Sequence, residues 1–277
     1  METPTLEVVW RLGAFLAVFA VMALLERARP KRPLVLPRLM RWGTNLAIVV
    51  IDSLAVRLMA ALPAILGAVT VPLVAVAAAV LAGDWGWGLL NNVSWPAWLE
   101  VIVALLVLDF AIWFQHLASH KVPLLWRLHR VHHADRDIDV TTALRFHPVE
   151  IALSMLYKVA WVLVLGPSEL AVILFEIILS GCAMFNHANL DLPRWLDRAL
   201  RTLVVTPDMH RVHHSVRRAE HGSNYGFNLS TWDRLFRTYT AQPADGHQGM
   251  TIGLKPYQTE GPAHLGWSLW LPFGSRT

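Results

Sequence analysis

Residues 98–133 read WLEVIVALLVLDFAIWFQHLASHKVPLLWRLHRVHH and join an apolar run to two groups of histidines. The run over 98–115 predicts a membrane-spanning helix, since about 20 mostly apolar residues cross a bilayer. His116 and His120 follow at i, i+4 spacing, which places both imidazoles on one face of a helix, one turn apart. A second group repeats this pattern with i, i+3 and i, i+4 spacings: His129, His132 and His133. The stretch therefore predicts imidazoles gathered where a helix leaves the membrane.

The composition of the whole chain agrees with a bilayer protein. Of its 277 residues, 55% are hydrophobic and 16% are charged, whereas soluble domains average about 45–50% and about 25%. These values exclude a disordered chain, a collagen and a nucleic-acid module. The net charge of +4 is too small to indicate nucleic acid as a partner. The single cysteine, Cys182, allows no intramolecular disulfide.

The apolar stretches predict the order of the spans. We expect spans over 6–25, 44–66 and 98–115, with an interfacial or re-entrant piece after the second. Residues 151–186 fit two short helices of about 15 and 17 residues better than one span. Gly166-Pro167-Ser168 would form the turn of this hairpin, which dips into the membrane and returns.

Lys and Arg residues predict the orientation. They are concentrated in 27–41 and 121–147, and by the positive-inside rule these loops are cytoplasmic. The N-terminus then faces outward, and the Trp-rich segment 83–97 is an outer loop. Every clustered histidine is thereby placed on the cytoplasmic side. Within the second span, Asp52 and Arg57 could pair inside the bundle.

Ten of the 13 histidines lie between positions 116 and 214. Three of them, His210, His213 and His214, repeat the i, i+3 and i, i+4 spacings, while His147 and His187 stand alone. A lone histidine is usually a hydrogen-bonded structural residue, but three spaced groups at one membrane edge predict a metal site. About eight to ten imidazoles suffice for two ions with four or five ligands each. Such a metal pair is suited to binding O2 beside a lipid chain.

Further segments carry a resemblance to a known family. They are RFHPVE at 145–150, FNHAN at 185–189, TPDMHRVHHS at 206–215, and NYG at 224–226 followed by WDRLF at 232–236. With the order HxxxH, HxxHH, hairpin and HxxHH, the chain resembles the fatty acid hydroxylase/sterol desaturase superfamily of integral membrane di-iron enzymes. The resemblance covers residues 98–240 and indicates the superfamily rather than a substrate.

The resemblance implies an all-α fold, an integral membrane helical bundle with a cytoplasmic, histidine-rich di-metal cap. It implies two iron ions held by the three histidine groups, with His187 matching a further ligand position. The expected ligands from the three groups are His116, His120, His129, His132, His133, His210, His213 and His214. His147 is either a ligand, a residue that orients one, or a structural residue before the helix that Pro148 starts.

Several other polar residues remain open at this stage. Asn189 and Asn224 could hold a metal-bound water or fix a ligand tautomer, or serve in turns and caps. His221 is a marginal ligand candidate, and His247 and His264 are expected to be solvated. Three aspartates form a polar loop in which one could orient a ligand imidazole: Asp135, Asp137 and Asp139.

The expected function is that of an O2-dependent di-iron oxidoreductase. It would hydroxylate or desaturate an unactivated C–H of a membrane lipid (sterol, fatty acyl or related). No dinucleotide, haem or iron–sulfur motif is present, so electrons would come from an external donor, a ferredoxin or a b-type cytochrome with its reductase. A histidine-rich metal transporter and a zinc-dependent membrane hydrolase are the alternatives.

The chain is expected to divide into three parts. Residues 1–97 would anchor the protein in the membrane, 98–240 would form the catalytic domain, and 241–277 would be a C-terminal tail that could lie at the interface.

Overall fold

The computed structural model describes residues 3–65 and 74–274, which form helices and turns without a β-strand. Five helices in these ranges are long and apolar enough to cross a membrane. They are α1 (Thr3–Ala28), α2 (Arg38–Ile65), α4 (Ala97–Lys121), α6 (Pro148–Leu165) and α7 (Glu169–His187). The predicted all-α membrane bundle is confirmed.

Helix α4 runs further than the predicted span. It continues past residue 115 to Lys121 and so includes His116 and His120. Helix α5 (Pro123–His133) follows almost at once, with Pro123 at its first position, where the missing N–H removes no hydrogen bond. The first two histidine groups therefore stand on consecutive helices.

The hairpin after α5 consists of two helices, as predicted, but they are longer than predicted, 18 and 19 residues, and each is long enough to cross a membrane. Gly166 ends α6 at φ 64°, a left-handed conformation that glycine adopts without steric cost. The Ser168 hydroxyl accepts a hydrogen bond from the amide of Ala171 at 3.2 Å and caps α7. The amide of Ser168 donates to Glu100 Oε1 at 2.9 Å, at the start of α4. The hairpin therefore reaches the end of the bundle at which α4 begins.

Helix α3 (Ala75–Trp85) lies in the region expected to be interfacial or re-entrant, of which 66–73 is outside the described residues. Its buried alanines let it pack closely on α6 and α7. Together with α4 these helices enclose the main apolar core, which includes Leu108, Val162 and Phe175. Large apolar side chains on α1 and α2 face outward, as in a bilayer.

The basic segment between α1 and α2 lies at the same end as the histidines. The amide of Lys31 donates to the carbonyl of Asn189 at 3.0 Å, and that of Asp191 donates to the carbonyl of Arg29 at 2.9 Å. These bonds join the segment to the chain that follows His187, the last residue of α7. The two features that the sequence assigns to one side of the membrane therefore share one end of the bundle.

Among the described residues, the three aspartates after α5 hydrogen-bond to groups other than imidazoles. Arg41 of α2 donates to both carboxylate oxygens of Asp135 at 2.7 Å and also pairs with Asp139. Asp137 accepts from the amides of Val35 and Leu36 at 2.8 and 2.9 Å. The expectation that one of them orients a ligand was therefore wrong: they bind the start of α2 to the cap.

The C-terminal part forms six short helices over the bundle end: α8 (Arg194–Leu200), α9 (Pro207–His213), α10 (Arg218–His221), α11 (Thr231–Leu235), α12 (Gly246–Gly249) and α13 (Leu265–Trp270). Helix α13 packs against α2, and its Ser268 accepts a hydrogen bond from Arg145 at 2.7 Å. Trp270 remains 69% exposed. The tail is thus part of the cap and presents one exposed tryptophan.

Candidate metal centre

The three histidine groups and His187 converge at one end of the bundle. Helices α4, α5 and α9 carry the groups, and α7 ends on His187. Helix α9 starts where the sequence provides an N-cap and a first-turn proline: the Thr206 hydroxyl accepts from the amide of Met209 at 3.4 Å, ahead of Pro207. The fold therefore brings together side chains that are up to 98 positions apart, from His116 to His214.

Nine of the ten proposed ligands fall into two groups, and within each group the candidate ligand atoms all lie within 4.8 Å of one another. The first group has five members: His116, His120, His129, His133 and His213. The second group has four members: His132, His187, His210 and His214. The groups adjoin, since the His133 and His214 rings stack with centroids 4.6 Å apart. This arrangement provides donors for two ions side by side.

Several Nε2 atoms face each other at short range. His116 Nε2 lies 3.1 Å from His129 Nε2 and 3.0 Å from His213 Nε2. In the second group, His187 Nε2 lies 3.2 Å from His132 Nε2 and 3.0 Å from His210 Nε2. With metal–nitrogen bonds of about 2.0–2.1 Å, ligands of one ion are separated by about 3 Å. The Nε2 spacings therefore match a shared ion in each group.

Four of these imidazoles are oriented through Nδ1. His116 Nδ1 donates to the Tyr225 carbonyl at 2.7 Å, and His129 Nδ1 donates to Glu150 Oε1 at 2.6 Å. The other two acceptors are the carbonyl of Ala183 for His187, at 2.8 Å, and the carbonyl of Ser223 for His213, at 2.6 Å. A proton held on Nδ1 leaves Nε2 as the lone-pair donor, which is the usual arrangement of metal-binding histidines.

The remaining nitrogens fit a metal rather than a hydrogen-bonded core. Among the described residues, His120 Nε2 and both ring nitrogens of His133 and His214 are buried without a hydrogen-bond partner. Leaving a buried polar atom unpaired costs about 1–3 kcal/mol. Several unpaired nitrogens in one cluster therefore indicate a binding site for a metal cation. The donor set is all imidazole, which suits iron and zinc.

Burial also sets the protonation state of the imidazoles outside the spans. It lowers the pKa of His129 to about 3. Burial, followed by repulsion from neighbouring histidines, lowers the pKa well below its usual value at His132, His133, His210, His213 and His214. These imidazoles are therefore neutral at pH 7, which is the form that binds a metal.

His147 is outside both groups. Its Nδ1 accepts from the amide of Val149 at 3.2 Å, which caps α6, and its Nε2 lies 3.2 Å from the carbonyl of Leu269. The structure thus places His147 in the capping role rather than among the candidate ligands, because Pro148 begins the helix directly after it.

His221 lies against the first group. Its ring centroid is 4.6 Å from that of His133 and 4.8 Å from that of His120, and its Nδ1 is buried without a partner among the described residues. Burial lowers its pKa to about 4. The sequence analysis named it only as a marginal candidate.

The other open residues have structural contacts. Asn189 exchanges hydrogen bonds with the backbone of Arg32, and Asn224 binds the carbonyls of Met209 and Thr240, so both hold loops around the site. His264 is exposed as expected. His247 was expected to be solvated, but its side chain is only 9% exposed, 3.6 Å from Asp208.

Sequence reasoning assigned no role to Glu150. It was quoted only as part of RFHPVE, yet its carboxylate accepts from His129. The spacing HPVE, with Pro148 at the first position of α6, was the signal that could have found it: it places Glu150 in the first turn, beside α5. A carboxylate at this place fixes the orientation of the His129 ring and raises the basicity of its Nε2.

A cavity of about 600 Å³ reaches His116 and His129 from the membrane-spanning helices. Its walls come from α1, α2, α4, α6 and α7, and they include Phe15, Ile112 and Phe146. The cavity therefore connects the first histidine group with the interior of the bundle. A lipid chain could reach the imidazoles by this route.

Spanning helices that end in a buried cluster of imidazoles define a class of membrane-bound, histidine-box proteins. The family model for fatty acid hydroxylase matches residues 101–238, which include every proposed ligand. The chain belongs to the fatty acid hydroxylase family. The family predicted from the sequence motifs is confirmed.

Individual relatives are similar over about half of this chain or more. An ornithine lipid hydroxylase of Rhizobium tropici is 28% identical over 150 residues, 54% of this chain and 44% of the relative. The alkylglycerol monooxygenase of Homo sapiens is 27% identical over 190 residues, which are 66% of this chain and 40% of the relative. A fatty acid hydroxylase of Lecanicillium sp is 30% identical over 171 residues, with 54% of this chain and 44% of the relative covered. The chain thus spans less than half the length of these relatives. No solved structure matches it.

Proposed function

We propose that this protein is an O2-dependent, di-iron membrane monooxygenase that hydroxylates an unactivated C–H of a lipid. Desaturation by the same centre is the other outcome of hydrogen removal. The carrying observation is the pair of imidazole groups, five and four residues, at the end of a cavity that opens within the membrane-spanning helices. The named hydroxylases and monooxygenases among its relatives support the same reaction class.

The nine histidines of the two groups are the proposed ligands of two iron ions. When bound, the ions would supply O2 activation. The chain holds the ligand tautomers through four Nδ1 hydrogen bonds and keeps the ligand atoms within 4.8 Å in each group. The apolar part of the cavity wall, which includes Ile112 and Phe146, would present the lipid chain to the first group. His147 is not part of the proposed set.

The orientation and the electron donor complete the proposal. The Arg- and Lys-bearing segment 29–41 lies at the histidine end of the bundle, and the positive-inside rule assigns that end to the cytoplasm. An external donor, a ferredoxin or a b-type cytochrome with its reductase, would deliver electrons there. Basic residues on that face suit an acidic donor.

The two alternatives differ in what they require. A metal transporter needs histidines along the spans, whereas here they gather at one end of α4 and α7. A zinc hydrolase needs neither O2 nor a reductant. No observation on the described residues favours either alternative over lipid oxidation.

The test is iron analysis combined with lipid profiling under 18O2. We expect about two iron ions per wild-type chain, since each ion takes at least four ligands, and 18O in a lipid of expressing cells. His213→Ala should lose iron and labelling, while His264→Ala, at an exposed histidine, should keep both. Zinc in place of iron, or lipid turnover without O2, would contradict the proposal.

A further inference from the structure

The cavity beside His116 and His129 has a polar line along α6. Glu150, Ser154 and Lys158 lie at i, i+4 and i+8 and all face the cavity. From Glu150 to Lys158 the helix rises about 12 Å. The space that a lipid would enter is therefore apolar on some walls and carries hydrogen-bonding groups on others.

Most polar groups of this cavity already have partners. Glu150 Oε1 binds His129 at 2.6 Å, and the hydroxyl of Ser154 donates to Gln115 Oε1 at 3.3 Å. The ammonium of Lys158 pairs with Glu176 at 2.7 Å. Ser154 and Lys158 are therefore satisfied, whereas Glu150 Oε2 is buried without a hydrogen-bond partner among the described residues.

Asp52 differs from Glu150, whose other oxygen already binds His129. It lines the same cavity from α2, its residue is only 7% exposed, and its Oδ1 has no hydrogen-bond partner among the described residues. The pairing with Arg57 that the sequence allowed is not found among the ion pairs of the described residues. An acceptor buried without a donor costs about 1–3 kcal/mol, and more when it is charged. The cavity therefore presents an acceptor that a ligand can satisfy.

We propose that Asp52 determines substrate specificity by accepting a hydrogen bond from the lipid in this cavity. This inference rests on the proposed lipid oxidation and narrows it: the substrate is a lipid that carries a hydroxyl or N–H donor within the cavity, rather than a plain hydrocarbon chain. A site that hydrogen-bonds a substrate donor discriminates strongly against an analogue that lacks it, because the analogue leaves the buried acceptor unpaired.

A matched pair of probes tests this. Hexadecan-1-ol and its methyl ether share one chain, but only the alcohol has a donor. The full chain, iron-loaded and in detergent micelles, is offered both lipids, and native mass spectrometry measures which is retained. We expect the wild type to prefer the alcohol about tenfold or more. Asp52→Leu should lose this preference, and Asp52→Asn, which keeps a carbonyl acceptor, should retain part of it.

The control is Leu54→Ala, at a position on the same helix that is 56% exposed and outside the cavity. Equal retention of both probes by the wild type, or an unchanged preference in Asp52→Leu, would overturn the inference and leave Asp52 hydrated by water alone. If Asp52→Leu does not fold, Asp52→Asn decides instead: a preference reduced from that of the wild type supports the inference, and a preference equal to that of the wild type overturns it. Retention requires no turnover, so an alcohol preference without 18O incorporation would contradict the proposed oxidation and not the role of Asp52.

Discussion

Two buried polar clusters lie side by side in the cap, and their hydrogen bonding differs. Around Arg41, every aspartate oxygen that faces the guanidinium is paired, with Asp135 bidentate at 2.7 Å. Around His133 and His214, ring nitrogens are buried with no partner at all among the described residues. A cluster whose polar atoms all have hydrogen-bond partners within it has a structural role. A cluster with buried, unpaired nitrogens is suited to binding a ligand such as a metal ion.

The largest expected difference between the two clusters is in how their contributions to stability change when the pH is lowered. Imidazoles with a lowered pKa remain neutral when folded but take up protons when unfolded below about pH 6.5. The unfolded chain then binds more protons, so stability falls as the pH falls. Each such histidine lowers the free energy of unfolding by about 2 kcal/mol between about pH 7 and about pH 5. The histidines concerned are His129, His132, His133, His210, His213 and His214.

In the Arg41 cluster, the contribution of Asp135 is also lost on acidification, but at a lower pH. Burial raises the pKa of Asp135, but Arg41 outweighs burial and holds it below the usual 3.8, so its contribution is lost only when the pH falls below about 3.8. The measurement is the unfolding midpoint of the metal-free protein in detergent across this range. A midpoint that stays flat from about pH 7 to about pH 5 would contradict neutral, buried imidazoles.

Arg41→Met should destabilise the protein by about 3–5 kcal/mol, since it leaves buried aspartates without their cation. The matched control is Arg217→Met. Arg217 pairs with Asp245 at 2.6 Å on the surface, where its side chain is 52% exposed, and its loss should leave the stability nearly unchanged. Equal midpoints for the two variants in thermal unfolding would show that the Arg41 cluster does not stabilise the cap.

The sequence predicted the histidine cluster well because helical spacing is a local property. It could not assign histidines to the two groups. His132 and His133 are neighbours in sequence but belong to different groups, because successive residues on a helix point about 100° apart. The same holds for His213 and His214. Which side chain meets which ion depends on how α4, α5, α7 and α9 pack.

The Asp–Arg cluster was not predictable in the same way. Asp135 and Arg41 are 94 positions apart, and nothing in the loop sequence distinguishes a partner for arginine from a partner for imidazole. His147 raises the same difficulty: its place before Pro148 is typical of a cap, while its place in the RFHPVE motif left a ligand role open. Only tertiary contacts, here with Val149 and Leu269, separate the two roles.

Variants of Glu150 give the smallest expected effect and compare the two clusters directly. The carboxylate of Glu150 binds an imidazole, whereas that of Asp135 binds an arginine. Glu150→Gln keeps an acceptor for His129 Nδ1 but removes the charge, and Glu150→Ala removes both. Outer-shell partners of metal-binding histidines contribute about 10–100-fold in metal affinity. We expect about tenfold weaker iron binding for Glu150→Gln and about a hundredfold for Glu150→Ala, measured by competition with a chelator.

Glu169→Gln, at the exposed first turn of α7, is the matched control and should bind iron as the wild type does. Because Glu150→Gln keeps an acceptor for the buried Nδ1 of His129, its metal-free unfolding midpoint should stay close to that of the wild type, unlike that of Arg41→Met. Wild-type iron affinity in Glu150→Ala would contradict a ligand-orienting role. A large drop in the stability of the metal-free protein would instead give Glu150 the same structural role as Asp135 in the Arg41 cluster. The two buried carboxylates differ because the partner of Asp135 needs no metal, whereas the partner of Glu150 is an imidazole proposed to bind one.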